Sequence, residues 1–324
     1  MLTVYLPSGA GLVPTDIPGG EPVPGTAIWI DLLSPLPSED VAVERLIAAP
    51  IPTREEMQEI EISSRLYVED GALYMTATLM CATDTPTPRT TEVTFILAGH
   101  RLVTVRYDNP RPFALVATKL GRTFPEGGGG QAVMLEVLDA VIDRLADILE
   151  RAAGEVDQVS RDIFEPNPRT GHSRRYANIL IAIGSKGDLT SKIRESLVSI
   201  GRLLLFLSNE TEAAHWGKEV RAQLKTMHRD VQSLSDHASY LSNKITFVLD
   251  AMLGVVNLEQ NNIIKLFSVM AVVLMPPTLI ASIYGMNFRH MPELETPWGY
   301  PLALLSMLAA AVLPYLWFKH KKWL

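Results

Sequence analysis

Two long stretches near the C-terminus contain no charged residue. Residues 266–288 and residues 296–318 each run for 23 positions without Lys, Arg, Asp or Glu. A helix needs about 20 apolar residues to cross a bilayer. Only seven residues, 289–295, separate the two stretches. The pattern therefore predicts two antiparallel membrane-spanning helices joined by a short loop.

The charges beside these stretches predict their orientation. Lys265 precedes the first stretch, a basic tail at 319–324 follows the second, and the loop holds one Arg, Glu293 and Glu295. Because Lys and Arg accumulate on the cytosolic side of membrane helices, both termini are expected in the cytosol and the loop outside. The two loop glutamates are expected either to attract cations to an outer mouth or simply to keep the loop soluble.

A regular apolar stripe precedes the first stretch. From Val220 to Val255 apolar side chains alternate at spacings of four and three, which gives five heptads. No proline lies between residues 168 and 276. The stripe predicts one helix from about residue 213 to residue 284, a rod of roughly 110 Å that runs into the membrane.

The first 125 residues alternate short apolar runs with turn signals, which predicts a mixed α/β domain. Strands are expected at 2–6, 27–33, 65–68, 72–80, 92–97 and 101–107, and a helix near Thr53, where Thr53 and Glu56 have capping-box spacing. Glycines 127–130 predict a flexible joint. The predicted domains are an α/β domain at 1–130, a helical region at 131–212, the long helix at 213–288, the loop at 289–295, a second membrane helix at 296–318 and a tail at 319–324.

Composition narrows the classes of function. Charged residues make up only 20% of the chain and the mean hydropathy is +0.14, which is unusual for a soluble enzyme. Cys81 is the single cysteine, which excludes intrachain disulfides and cysteine-rich metal sites. Residues 1–265 carry 25 Lys and Arg against 34 Asp and Glu, so nucleic acid is not an expected partner. No GxxxxGK[ST] loop or Ser/His/Asp set stands out, and neither an enzyme activity nor an organic cofactor is expected.

One face of the first membrane helix is smaller and more polar than the rest. Its members, spaced by three and four, are Asn261, Ile264, Ser268, Ala271, Met275, Thr278 and Ser282. Polar atoms facing lipid are costly, so this face is expected to meet other helices or water. Pro276 and Pro277 kink the helix and free two backbone carbonyls. A hairpin of two helices encloses no pathway, so it is either a membrane anchor or one subunit's share of an oligomeric wall. For the polar face, the alternative interpretation is ordinary helix–helix packing through small residues.

The first membrane helix ends at Gly285, Met286 and Asn287. Gly285 is expected to let the backbone turn. Asn287 offers a neutral amide oxygen, and a ring of such oxygens suits a cation that keeps its water shell, as Mg²⁺ does. A ring of carboxylates would bind more tightly and release the ion more slowly.

These motifs resemble the signature of the CorA magnesium transport proteins. The similar segments are Tyr-Gly-Met-Asn-Phe at 284–288, Met-Pro-Glu-Leu at 291–294, Trp-Gly-Tyr-Pro at 298–301, Met-Pro-Pro-Thr at 275–278 and the ending Lys-Lys-Trp-Leu. The resemblance covers essentially the whole chain. It implies a homopentameric channel in the bacterial inner membrane, with an α+β cytosolic domain (an α/β/α sandwich), a funnel of long helices and two C-terminal transmembrane helices.

The resemblance also implies roles for particular residues. Gly285, Met286 and Asn287 match the family's selectivity filter. The pore-lining positions match Thr278 and Met275, the lower constriction Phe267 and Ile264, and the inner asparagine Asn261; Ala271 joins them from the polar face. Phe267 departs from that face, which contains Ser268 instead. Regulatory Mg²⁺ between cytosolic domains would use acidic residues, for which Asp84, Glu92, Asp230 and Asp236 are candidates, each with a solvated surface charge as the alternative.

Several functions remain open at this point. The leading hypothesis is Mg²⁺ influx driven by the membrane potential and gated by cytosolic Mg²⁺, with Co²⁺ or Ni²⁺ as further ions. A ZntB-like zinc transporter is the nearest alternative, although its entrance triplet resembles Gly-Val-Asn and residue 286 here is Met. A membrane-anchored scaffold or sensor without a pore is the alternative from another class.

Overall fold

The computed structural model describes residues 1–18, 20–125, 127–164, 172–213, 216–287, 291–292 and 296–321. The chain divides into two compact units, Met1–Val248 and Leu249–Leu324. The six segments expected from the sequence stay predictions, because these two units are defined by packing and their boundary does not correspond to the segment boundaries.

Seven strands form one mixed sheet in the N-terminal unit. They are β1 (Leu2–Ser8), β2 (Gly11–Ile17), β3 (Trp29–Leu33), β4 (Leu66–Glu69), β5 (Ala72–Cys81), β6 (Arg89–Ala98) and β7 (Arg101–Arg106). Their order across the sheet is β2-β1-β3-β7-β6-β5-β4, and β3 pairs with β7 in parallel while the other neighbours are antiparallel.

Strand β2 is absent from the sequence-based prediction. It is an edge strand whose residues from Val13 to Asp16 are exposed and include Pro14. An edge strand needs neither a buried face nor every backbone donor, so it shows no apolar alternation and tolerates proline. That segment therefore carried no strand signal.

Eight helices complete the described chain: α1 (Pro37–Ile47), α2 (Arg54–Met57), α3 (Ile62–Arg65), α4 (Arg111–Leu120), α5 (Gly130–Phe164), α6 (His172–Ala213), α7 (Lys218–Tyr284) and α8 (Gly299–His320). The capping box at Thr53 is present, because Thr53 and Glu56 exchange side-chain-to-backbone hydrogen bonds of 2.7 and 3.3 Å. The helix it starts is only four residues long. The long helix begins at Lys218, five residues later than expected.

Helices cover both faces of the sheet, which gives an α/β/α sandwich. On one face Val43 of α1 and Met57 of α2 join a core with Ile30 and Val103. On the other face Phe113 of α4 lies 6.4 Å from the ring of Trp29 and 6.3 Å from that of Phe95. The second face also buries an ion pair between Asp31 and Arg106, at 2.7 Å.

The glycines before α5 are not a free joint at their C-terminal end. The amide of Gly130 donates a hydrogen bond to the carbonyl of His100 at 2.7 Å. A Cβ atom on Gly130 would lie 2.2 Å from the amide nitrogen of Leu102. Gly130 is therefore needed for the close approach of α5 to β7, and the prediction of a flexible joint is wrong at this residue.

The apolar stripe of α7 is an inner face within the N-terminal unit. Leu224, Val231, Leu241 and Val248 are each at most 3% exposed. On α6, the position of Gly201 faces Val231 and that of Gly187 faces Ile245, so α6 and α7 run antiparallel in register. Helix α5 adds an ion pair between Asp157 and Lys244 of α7.

Candidate functional site

Helices α7 and α8 both contain a window long and apolar enough to cross a membrane. Only 6% of each window is buried within the chain. Nearly all of this apolar surface is therefore left for lipid or for further protein, as expected of membrane helices and not of a soluble core.

One row of α7 has reduced exposure. Val269 is 5% exposed, and Val273, Pro276, Ile280 and Tyr284 are half-buried. Helix α8 carries a matching row of partly covered residues at Ala303, Met307, Ala310, Pro314 and Phe318. Both rows recur at helical spacing within the C-terminal unit, so we infer that they face each other.

The face expected to line a pore lies on the other side of α7. Asn261, Ile264, Ala271, Met275 and Thr278 are all exposed. At 100° per residue, the centre of this face is about 180° from the row that ends at Tyr284. The candidate pore face and the face that meets α8 are thus opposite each other.

A shallow groove follows the exposed face. It is lined by Phe267, Ala271, Met275, Thr278 and Ser282, together with three neighbouring apolar side chains. Ser268 does not line the groove and donates its hydroxyl to the carbonyl of Ile264 at 2.8 Å. Phe267 therefore shares this face with Ala271 and Thr278, whereas the spacing rule had selected Ser268.

Thr278 is oriented by its own helix. Its hydroxyl donates to the carbonyl of Leu274 at 2.8 Å. The proton is used inside the helix, which leaves the lone pairs of the oxygen as acceptors toward the groove. An acceptor at this position matches the hydrogens of water molecules around a cation.

The end of α7 presents Asn287 to solvent. Asn287 and Met286 are exposed, and the Asn287 side chain has no hydrogen-bond partner among the described residues. The amide of Gly285 donates to the carbonyl of Ala281 at 2.9 Å, and a Cβ at Gly285 would approach that oxygen to 3.1 Å. The backbone turns at Gly285, directly after the last helical residue Tyr284, and this turn does not use a positive φ at the glycine.

Sequence reasoning missed a small cavity beneath this end. It has a volume of about 400 Å³ and lies where α7 ends and α8 begins, lined by Tyr284, Gly285, Tyr300 and Met307 among others. Its walls come from two helices, so no local pattern in the sequence signalled it. The expected outer glutamates, Glu293 and Glu295, lie outside the described residues.

The four regulatory candidates do not form a metal site within one chain. Among the described residues, no group of three or more His, Cys, Asp or Glu side chains is placed to hold a metal ion. Glu92 lies on β6 opposite Thr78, and Asp230 and Asp236 are exposed on α7. Their regulatory role stays a prediction.

Asp84 is already engaged by arginines. Its carboxylate accepts hydrogen bonds from Arg144 at 2.6 Å and from Arg111 at 2.8 Å. The hydrogen bond from Arg144, followed by that from Arg111, lowers the pKa of Asp84 below its usual value. A divalent ion at Asp84 would have to compete with these two guanidinium groups.

Comparison with known proteins agrees with this architecture. Residues 24–320 match the family model described as CorA-like Mg²⁺ transporter protein. The chain is 34% identical over 299 residues to the magnesium transport protein CorA of Escherichia coli strain K12, covering 92% of both chains.

Two solved structures have a similar fold. The complete CorA magnesium transporter of Methanocaldococcus jannaschii superimposes with a TM-score of 0.75 at 18% identity, covering 100% of this chain and 99% of that one. The ZntB cytoplasmic domain of Vibrio parahaemolyticus superimposes with a TM-score of 0.55 at 10% identity, covering 79% and 97%. The family model extends through both apolar helices and the residues at the end of α7, and the Escherichia coli relative covers nearly the whole sequence. The chain therefore belongs to the CorA-like Mg²⁺ transporter family.

Proposed function

We propose that the chain is one subunit of a homopentameric channel in the bacterial inner membrane that admits Mg²⁺ to the cytosol. The observation that carries the proposal is the exposed groove along α7. This groove lies on the side of α7 that points away from α8, and it ends near Asn287. A row containing Thr278, Ser282 and Asn261 would be costly against lipid. Several copies around one axis would cover it and enclose a pathway.

In this proposal the filter is a ring of Gly285, Met286 and Asn287. The amide oxygen of Asn287 accepts hydrogen bonds from the water shell, so that the ion enters without losing its water. The hydroxyl oxygen of Thr278 offers a second ring of acceptors below it. Phe267 and Ile264 form an apolar constriction that closes by excluding water, and Asn261 lies on its inner side.

The membrane potential supplies the driving force. Moving one charge through 100 mV is worth about 2.3 kcal/mol, and a divalent ion gains about twice that. With both termini in the cytosol, Glu293 and Glu295 would lie at the outer mouth and concentrate cations there. Asp84, Glu92, Asp230 and Asp236 are the proposed contributors to Mg²⁺ sites between cytosolic domains, which would loosen when cytosolic Mg²⁺ falls.

Ion flux into proteoliposomes at a set voltage tests the proposal. The wild-type protein should admit Mg²⁺, and Asn287→Ala should lose most of that flux while the assembled protein is retained on size exclusion. Asn243→Ala is a matched control, because Asn243 is an exposed amide on the N-terminal part of α7 and should leave flux unchanged. Normal flux in Asn287→Ala would favour an anchor or sensor without a pore.

The same assay separates the ions. Residue 286 is Met, as in the Gly-Met-Asn triplet of the magnesium transporters, whereas the triplet of ZntB-like transporters resembles Gly-Val-Asn; this favours Mg²⁺ over Zn²⁺. The similarity of fold to the ZntB domain is compatible with either ion. Mg²⁺, Co²⁺, Ni²⁺ and Zn²⁺ are compared at equal concentration. Flux of Zn²⁺ without Mg²⁺ would assign the chain to zinc transport.

A further inference from the structure

A cavity in the N-terminal unit has no role in the proposed ion pathway. It lies between α6 and the β4–β5 end of the sheet, beside α3, and has a volume of about 560 Å³. That volume is within the usual range of about 300–1,000 Å³ for small-molecule sites. Its lining combines cationic, hydroxyl and apolar side chains.

Three arginines line the cavity: Arg65 from α3, and Arg194 and Arg202 from α6. Within the part of the chain that the structure describes, none of the three lies within ion-pair distance of a carboxylate. Glu195 is the acidic residue in the lining. The formal charge of the lining is therefore +2, although the whole chain carries −7.

Arg65 is held in place at the cavity wall. Its Nη1 donates to the hydroxyl of Thr78 at 3.0 Å, and its Nε donates to the carbonyl of Glu59. Its Nη2 makes no hydrogen bond to another described residue. Thr78 is only 2% exposed, so this anchor is rigid. A guanidinium that is held at Nε and Nη1 keeps Nη2 available to donate to an oxyanion.

Helix α6 is hydrogen-bonded to strand β5 of the sheet beside this cavity. The backbone amide of Thr78 donates to the hydroxyl of Ser199 at 2.9 Å. Thr76, 5% exposed, also lines the cavity, and its hydroxyl shares a hydrogen bond with Thr94 at 2.8 Å. A ligand here would contact both α6 and β5.

Apolar side chains flank the charged wall. Ile60 is 90% exposed and Ile62 is 52% exposed, and Val198 of α6 is also exposed between the arginines. Exposed isoleucines next to free guanidinium groups are complementary to a molecule that is apolar at one end and anionic at the other.

We propose that this cavity binds a small organic phosphate monoester. A phosphate monoester carries about −1.5 to −2 charges at pH 7, which matches the +2 of the lining. Its oxygens receive the guanidinium groups of Arg65, Arg194 and Arg202, and its organic part covers Ile60 and Val198. The ligand ties α6 to the sheet. This binding does not depend on the ion that the membrane helices carry.

Calorimetric titration of the full-length protein in detergent tests the site. Adenosine monophosphate and phenyl phosphate are the probes, with adenosine and phenol as the matched molecules without phosphate. Saturable binding of a phosphate probe is expected, and adenosine and phenol should not saturate the site.

Two sets of variants locate that binding. Arg194→Gln with Arg202→Gln should weaken phosphate binding about tenfold or more, because two charge-assisted contacts are lost. Val198→Glu should abolish it by placing a carboxylate between the arginines. Arg221→Gln with Lys225→Gln removes two exposed cations from α7 outside the cavity and should leave binding unchanged. All of these positions are exposed, so the melting temperatures without ligand should stay close to that of the wild type.

Two results would overturn the proposal. One is the absence of saturable binding by both phosphate probes. The other is equal affinity in the wild type and the Arg194→Gln, Arg202→Gln protein, which would place the bound phosphate elsewhere.

Discussion

At the scale of single residues, one carboxylate in the N-terminal unit gathers positive charge from several elements. Asp84 follows β5 in the chain, yet its partners Arg111 and Arg144 come from α4 and α5. Two guanidinium groups on one carboxylate keep it ionised, which is why its pKa is lowered. This cluster links three elements through one residue, so its effect should appear in stability as well as in any response to Mg²⁺.

Asp84→Asn is expected to lower the melting temperature of the detergent-solubilised protein at neutral pH. A carboxyl whose pKa is lowered by folding stabilises the folded state above its unfolded pKa, and that contribution is lost as the pH falls through the folded value. The difference from wild type should therefore shrink toward zero under acidic conditions. Asp147→Asn, on an exposed carboxylate of α5, serves as control and should change little at either pH. A difference for Asp84→Asn that persists at low pH would contradict the ion-pair explanation.

At the scale of the elements, the packing of a helix depends on a few positions of close contact. Helix α5 meets β7 at Gly130, where no side chain fits, while Gly154 of the same helix has open space around it. The same residue type therefore has opposite consequences at two positions. Position along a helix also matters in α7, where Phe267 and Thr278 line the same groove.

Gly130→Ala should destabilise the protein by about 1–3 kcal/mol, because the new methyl group forces α5 away from β7. Gly154→Ala should be neutral or stabilising by up to about 1 kcal/mol, since alanine favours a helix interior over glycine. Thermal unfolding of both variants beside the wild type measures the contrast. Equal melting temperatures for the two variants would show that α5 can move away from β7 without a loss of folding free energy.

Phe267→Ala is expected to raise Mg²⁺ flux in proteoliposomes, because removing the ring widens the proposed apolar constriction and lets water enter. Val272→Ala is the matched control: Val272 is an exposed apolar residue of the same helix, about 90° around from the groove. It should leave flux unchanged. Lower flux in Phe267→Ala than in Val272→Ala would contradict a closing role for the ring.

At the scale of the whole molecule, one chain is incomplete as a pathway. Two membrane helices enclose nothing, and the face of α7 that carries Thr278 and Met275 is exposed on the side away from α8. The apolar exterior of α8 fits lipid, whereas the more polar face of α7 does not. Further copies of the chain supply the missing walls in the proposed channel.

Native mass spectrometry of the purified protein should give a particle of about five times 35.7 kDa. The pentamer should persist in the Asn287→Ala protein, since that residue acts on the ion and not on assembly. A particle of one chain under conditions that keep bound lipid would remove the basis for a central pathway.

The sequence by itself determined the elements whose signals are local. The two apolar stretches, the heptads from Val220 to Val255 and the capping box at Thr53 depend on spacing and charge along the chain, and the membrane helices, the long helix and the cap followed from them. Only the tertiary structure decided the pairing of distant segments: the edge strand β2, the arginines around Asp84, the placement of Phe267 in the groove and the cavity between α6 and the sheet. Each of these depends on which surfaces meet in space, and no periodicity within a single segment encodes that.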